Sequence, residues 1–212
     1  MPPTRTVDRA TIVDAAAAIL QRDGLDGLSM RRLATELGSK PMTLYHHVPN
    51  KSELLSLVLG QIAADIPWES PTGPPRDRLI RVAVDMYEKL SELTWIVPIL
   101  RAGTNVGTPA LALADRFITA AIELGADELQ AVSLWRSVWY LVSSELMWQS
   151  TLANRQTGEQ SWFERIDPVE LEAMPTVAAA LPRWGEYSAA YDLPAAIEAQ
   201  IDGAIATFMS AD

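Results

Sequence analysis

An all-α fold is predicted for this chain of 212 residues, with a small three-helix unit at the N-terminus and a larger helical bundle behind it. Three observations predict it. Apolar residues recur at i, i+3, i+4 spacing in segment after segment, the period of a helix with one buried face. Residues suited to N-caps stand ahead of those segments: Asp8, Ser29, Asn50 and Asp167; their side-chain oxygens accept from backbone N–H groups that the first helical turn leaves unpaired. Pro67 and the cluster Pro71-Thr72-Gly73-Pro74-Pro75 then break the pattern once, early in the chain. They set the expected division at 1–66 and 67–212.

The first segment opens at Asp8, carries Ile12, Ala15, Ala16, Ile19 and Leu20 on one face and ends near Asp23-Gly24. Residues 1–7 read as an arm from which Arg5 reaches phosphate, or as a plain tail. Ser29 caps a second, short helix with Leu33, Ala34 and Leu37 on one side. Gly38 ends it, because glycine takes positive φ without strain. Pro41 suits the first turn of a third helix, where its missing N–H has no partner to lose. Leu44 and Val48 pack inward, and Met42, Thr43, Tyr45, His46 and His47 project outward or flank the buried edge. A seven-residue helix that exposes an aromatic ring and two imidazoles fits a recognition helix: the DNA major groove, about 12 Å wide, admits one α-helix. Asn50 and Glu53 form a capping pair for a fourth helix through Leu54, Leu55, Val58 and Ile62. Lys51 at its start reads as a phosphate clamp beside free N–H groups, or as an exposed lysine.

The motif Leu33-Ala34…Leu37-Gly38…Thr43-Leu44-Tyr45-His46-His47-Val48…Asn50-Lys51 resembles the DNA-binding domain of the tetracycline-repressor (TetR) family of transcriptional regulators. The resemblance runs from about Asp8 to Leu59, and the rest of the chain shares only size and helical character. It implies a homodimer that places two recognition helices in successive major grooves. Residue by residue, it implies base contacts from Arg31, Pro41, Met42, Thr43 and His46, and phosphate contacts from Tyr45, His47 and Lys51, with Lys40 at the same edge. Lys40 departs from the family pattern, since many relatives have a small capping residue there. It also implies a small-molecule effector in the second unit.

Charge agrees with a DNA-facing end. The net formal charge is −10, but residues 1–51 hold seven basic residues against five acidic ones, and residues 52–212 hold ten against twenty-two. An acidic body with one mildly basic end meets DNA through that end.

In the second unit, Arg76 to about Leu93 suits an amphipathic helix with Leu79, Ile80, Val82, Ala83, Met86, Tyr87 and Leu90 inward. Trp95 to Leu100 is short, Thr104 to Thr108 reads as a loop, and Pro109 to Leu124 is a helix with Phe117 inward. Asp127 to about Leu152 holds only Arg136 and Glu145 as charges after Leu129, so it is buried on more than one side: against its own bundle and against a second subunit. Residues 154–166 form a polar loop. One helix is expected from Asp167 to Leu181-Pro182, a less regular stretch from Trp184 to Asp192, and a last helix from Pro194 to Met209. Gly203 lies inside that last helix, as a close-approach point at a dimer seam or as a tolerated glycine.

Trp95, Trp135, Trp139, Trp148 and Trp162 concentrate in this unit and read either as core or as the lining of an apolar pocket. The family resemblance favours a pocket, with Met86, Leu100, Phe117 and Glu145 beside the tryptophans. Glu145 and Arg136 are expected to be its buried polar groups. A helical carrier or sensor that acts through a protein partner is the alternative. No cysteine, no histidine pair at ligand spacing, no Gly-rich phosphate loop and no nucleophile motif is present, so neither a metal, a cofactor nor catalysis is expected. No segment reaches eighteen consecutive apolar residues and no signal segment leads the chain, which predicts a cytoplasmic protein with no membrane partner.

Overall fold

The computed structural model describes residues 7–101, 107–153 and 160–208, and among them there are helices and no strand. Helix α1 (Arg9–Gly27) begins at Asp8, whose carboxylate accepts from the Thr11 N–H, and is interrupted at Gly24, where φ is +68°. The expected end at Asp23-Gly24 is thus a kink followed by one further turn. Helix α2 (Met30–Glu36) is capped by Ser29, and α3 (Pro41–His47) follows across Gly38, at φ +62°. Lys40 stands at the α3 cap position and caps nothing with its side chain. Helix α4 (Lys51–Asp65) starts at Asn50, whose side chain accepts from the Glu53 N–H at 2.8 Å. The reciprocal half of that capping pair is replaced: the Glu53 carboxylate takes a hydrogen bond from Arg9.

Helix α1 packs on α2 and α4, and α2 packs on α3. Ile12, Ala16, Ile19, Leu20, Leu33, Leu44, Val48, Leu54 and Val58 are almost wholly buried between them. This buried cluster continues without a gap through α4 into the second unit.

Helix α5 (Pro75–Ser91) packs on α7 (Leu111–Glu123), α8 (Glu128–Ala153) and α11 (Leu193–Phe208). Between α5 and α7 lie a short turn at Thr94–Ile96, helix α6 (Val97–Arg101) and a second turn at Thr108–Ala110. The expected loop at 104–108 falls mostly on residues 102–106, outside the described residues, as do Arg5 and most of the polar loop of 154–166. Asp127 and Gln130 cap α8 reciprocally, each side chain accepting from the other's N–H. Asp192 caps α11 through the Ala195 N–H. At the chain's surface, Arg76 of α5 pairs with Glu198 and Asp202 of α11, and Arg78 pairs with Glu123 of α7.

Two expectations fail between 167 and 192. Asp167 caps only a tight turn, Pro168–Leu171, and the helix proper, α9 (Pro175–Ala180), starts afresh. Helical backbone is disfavoured for the residue before a proline, and Met174 sits at φ −128°, ψ 62°. The stretch read as irregular contains a short helix, α10 (Trp184–Ala189).

Candidate nucleic-acid interface and ligand cavity

Leu44 and Val48 hold α3 against the core, which turns its other side outward. Met42 is 66% exposed and Tyr45 43%; Lys40, Pro41, His46 and His47 are exposed, and Thr43 is half-buried. Arg31 is exposed on α2 beside this edge and forms no ion pair among the described residues. Three other arginines of the unit are engaged internally. Arg9 meets Glu53, Arg22 bridges Asp23 and Glu36, and Arg32 holds Asp23 and the Gly27 carbonyl.

Lys51 is held within the fold. Its ammonium donates to the carbonyls of Leu28 at 2.7 Å and Leu25 at 3.2 Å, and the side chain is half-buried. These carbonyls belong to the end of α1, where the Leu25 carbonyl also takes the Leu28 N–H, and to the residue after it; the carbonyl end of a helix attracts a cation. Two of its three N–H groups therefore tie α4 to α1 rather than stand free for phosphate.

The second feature is a cavity of about 230 Å³. Leu59, Ile62 and Ala63 of α4 and Ile66 at its end form one wall, with Trp68 just beyond. Met86 and Leu90 of α5, Ile96, Leu100, Gly107, Ala110, Leu111, Leu113, Ala114, and Trp135 and Trp139 of α8 close the rest. Four of the nine residues expected around a pocket line it: Met86, Leu100, Trp135 and Trp139. Phe117 is fully buried behind them, its ring 5.3 Å from that of Trp135. Trp95 packs on the core with its indole N–H buried and unpartnered, off the cavity wall.

Glu145, Trp148 and Trp162 lie elsewhere. At 100° per residue, Trp148 is about 180° around α8 from Trp139. It faces an open groove with Glu145, Tyr140 and Tyr191. Trp162 is exposed and meets Phe163 and Trp184 edge-on. Arg136 is exposed as well, donating to the Tyr140 hydroxyl at 2.6 Å, and Glu145 accepts from Gln149. The fully buried acid is Asp85, one oxygen accepting from the Glu69 N–H and the other unpartnered.

The contribution of α4 to the cavity was missed, although Leu59, Ile62, Ala63 and Ile66 stand at i, i+3, i+4, i+7, a second apolar stripe that shares only Ile62 with the one expected from Leu54 onward. A further contact lies at the same wall. Gly107 rests directly on the α4 backbone, and a Cβ there would stand 2.5 Å from the Gly60 Cα and 2.6 Å from its nitrogen. Among the described residues no cluster of three metal-ligating side chains occurs, and no helix is long and apolar enough to cross a membrane.

The family model for bacterial regulatory proteins of the tetR family matches residues 12–58. The chain is 34% identical over 135 residues to the HTH-type transcriptional repressor DrrR1 of Streptomyces coeruleorubidus, covering 62% of this chain and 48% of that one. It is 32% identical over 153 residues to an HTH-type transcriptional regulator of Saccharopolyspora erythraea, covering 69% and 64%. The chain thus spans between about half and two thirds of the length of these relatives. Among solved structures, apo ActR from Streptomyces coelicolor superposes with a TM-score of 0.72 at 23% identity, covering 100% of both chains, which shows a shared fold. The same ActR in complex with actinorhodin gives 0.70 at 22% identity, covering 97% of this chain and 98% of that one. The helix-turn-helix of residues 12–58 is that of the tetR family of bacterial regulatory proteins, and the helical body behind it shares the fold of ActR.

Proposed function

We propose that the chain is a cytoplasmic, homodimeric repressor that leaves its DNA operator when a small apolar or aromatic effector fills the cavity, with no catalytic step. The observation that carries the reading is the double use of α4. Its first turns complete the core under the recognition helix, and its last turns wall the cavity. A ligand that favours a displaced α4 necessarily shifts the DNA-facing unit, because it shifts the equilibrium by its difference in affinity for the two positions. In this reading residues 1–66 face DNA and residues 67–212 bind the effector and the second subunit.

Arg31, Lys40, Pro41, Met42, Thr43, Tyr45, His46 and His47 are the DNA-facing set. The two-fold partner covers α8 and α11. Leu129 is 75% exposed, Val132, Tyr140, Trp148 and Leu152 are exposed on α8, and Gly203 opens onto free space on α11. Exposed apolar faces of this extent mark interfaces.

The test is retardation of DNA carrying the chain's own promoter. Specific retardation, relieved by a cavity-binding compound and abolished by Tyr45→Ala, is expected. Absence of any sequence-specific retardation would overturn the reading in favour of a helical sensor acting through a protein partner. Sedimentation is expected to show a dimer that Gly203→Glu dissociates.

A further inference from the structure

We infer that the cavity selects a neutral, planar ligand of about two fused rings whose polar atoms accept hydrogen bonds, and rejects anions, cations and metal chelates. This rests on the proposed function, since it names the chemistry of that cavity's ligand.

The described residues of the wall include no ionisable side chain, and no hydroxyl, amide or imidazole. Among the described wall residues the side-chain polar groups are indole N–H donors, which have no acceptor, and the weakly accepting Met86 thioether. Trp68 has already used its N–H on the Ala63 carbonyl at 2.8 Å. The N–H groups of Trp135 and Trp139 have no hydrogen-bond partner among the described residues. Acceptors on the α4 wall are occupied too: the Ile62 carbonyl takes the Ile66 N–H, and the Ala63 carbonyl takes Trp68. The described side chains of the wall therefore offer strong donors and no strong acceptor.

The consequences for a ligand follow from desolvation. A ligand carbonyl exchanges its water for an indole N–H. A ligand ammonium or carboxylate loses its water and meets no counter-charge, which is strongly unfavourable in an apolar site. A chelated metal finds no protein ligand on this wall. Two fused rings fit, because an enclosed apolar cavity of about 150 Å³ takes one benzene and this partly open one is about 230 Å³. The rings of Trp135 and Trp139 and the Met86 thioether favour an aromatic face over an aliphatic one.

The experiment titrates the full-length chain with four probes of one shape, followed by tryptophan fluorescence: 1-acetonaphthone, naphthalene, 1-naphthoate and 1-naphthylmethylamine. The ketone is expected to bind on the order of 100-fold or more tightly than either ion. Trp135→Phe and Trp139→Phe keep a ring and remove the donor. At least one of them is expected to weaken the ketone by roughly 2- to 12-fold while leaving naphthalene unchanged, so a general loss of packing is told apart from a lost hydrogen bond. Binding of naphthoate or the amine as tight as that of the ketone would overturn the inference. So would a ketone-to-naphthalene ratio unmoved by either variant, or no binding of the ketone at all. Promoter-DNA retardation without ligand is measured in parallel: if it persists while the ketone fails, the ligand class is wrong, and if it is absent, the repressor reading is wrong.

Discussion

Gly107→Ala tests the junction between cavity and connecting helix. The new methyl group would stand 2.5 Å from the Gly60 Cα, whereas ordinary Cβ contacts begin at 3.4 Å. The two backbones must separate by the difference, 0.9 Å or more. The atoms in the way are main chain, so no rotamer change relieves the clash. Gly60 is nine residues along α4 from Lys51, about 14 Å at 1.5 Å per residue. A sideways push of that size at Gly60 tilts α4 by roughly 4° about its start, in the sense that opens the cavity wall. The variant should therefore imitate the effector. Operator affinity should fall by a factor within the usual coupling range, roughly 5- to 150-fold, and added ligand should lower it little further. Overpacking should also reduce stability by about 1–3 kcal/mol. Fluorescence anisotropy with labelled operator, alongside thermal unfolding, measures both. Gly185→Ala is the control, since its Cβ meets Phe163 at an ordinary 3.5 Å. A Gly107→Ala protein that melts lower yet binds operator like wild type, with full ligand response, would show that the contact is only structural.

Three further outcomes are expected. Lys40→Ala with Tyr45→Ala should weaken operator binding and flatten its dependence on salt, because a lost phosphate contact releases one counterion fewer; an unchanged slope would remove both from the phosphate set. Lys51→Ala should lower stability by about 1–3 kcal/mol, read by urea unfolding, because two carbonyls lose a charged donor; unaltered stability would contradict the tie between α1 and α4. Hydrogen bonds from Arg76 and Arg81 hold the Asp202 and Glu69 carboxyls below their ordinary values. Their stabilisation is therefore complete above the ordinary carboxylate range, near pH 4, and is lost as pH falls below it; the acid-induced drop in melting temperature should be shallower in Arg76→Ala, and an identical profile would count against the pairing.

Local chemistry was legible in the sequence. Asp8, Ser29 and Asn50 each cap the helix expected of them, because an N-cap depends on residues three apart. Leu44 and Val48 turned inward as their four-residue spacing requires, which left Met42 and Tyr45 outside. Long-range partners were not legible. Nothing near Lys51 in the chain announces the carbonyls of Leu25 and Leu28, and nothing near Asp85 announces the Glu69 N–H that folds back onto it. The aromatic grouping failed at Trp148 for a different reason: composition gathered the tryptophans, whereas helical phase separates Trp148 from Trp139. The break at Pro175 was readable and unread, since the Met174-Pro175 step disfavours the continuous helix expected there.

The sharing of α4 also bears on how separable the two halves of such a chain are. A swap of DNA-reading heads between relatives, cut at the proline-rich boundary after residue 66, would carry Leu59, Ile62, Ala63 and Ile66 along with the head and so replace one wall of the ligand chamber. The recipient would change what it senses as well as where it docks. A join placed ahead of Leu59 leaves the chamber whole and moves the seam into the middle of a helix, where the incoming half must match Val58 and Leu54 in the core beneath the recognition helix. For this fold, modularity by sequence segment and modularity by function part company over a single stretch of about two helical turns.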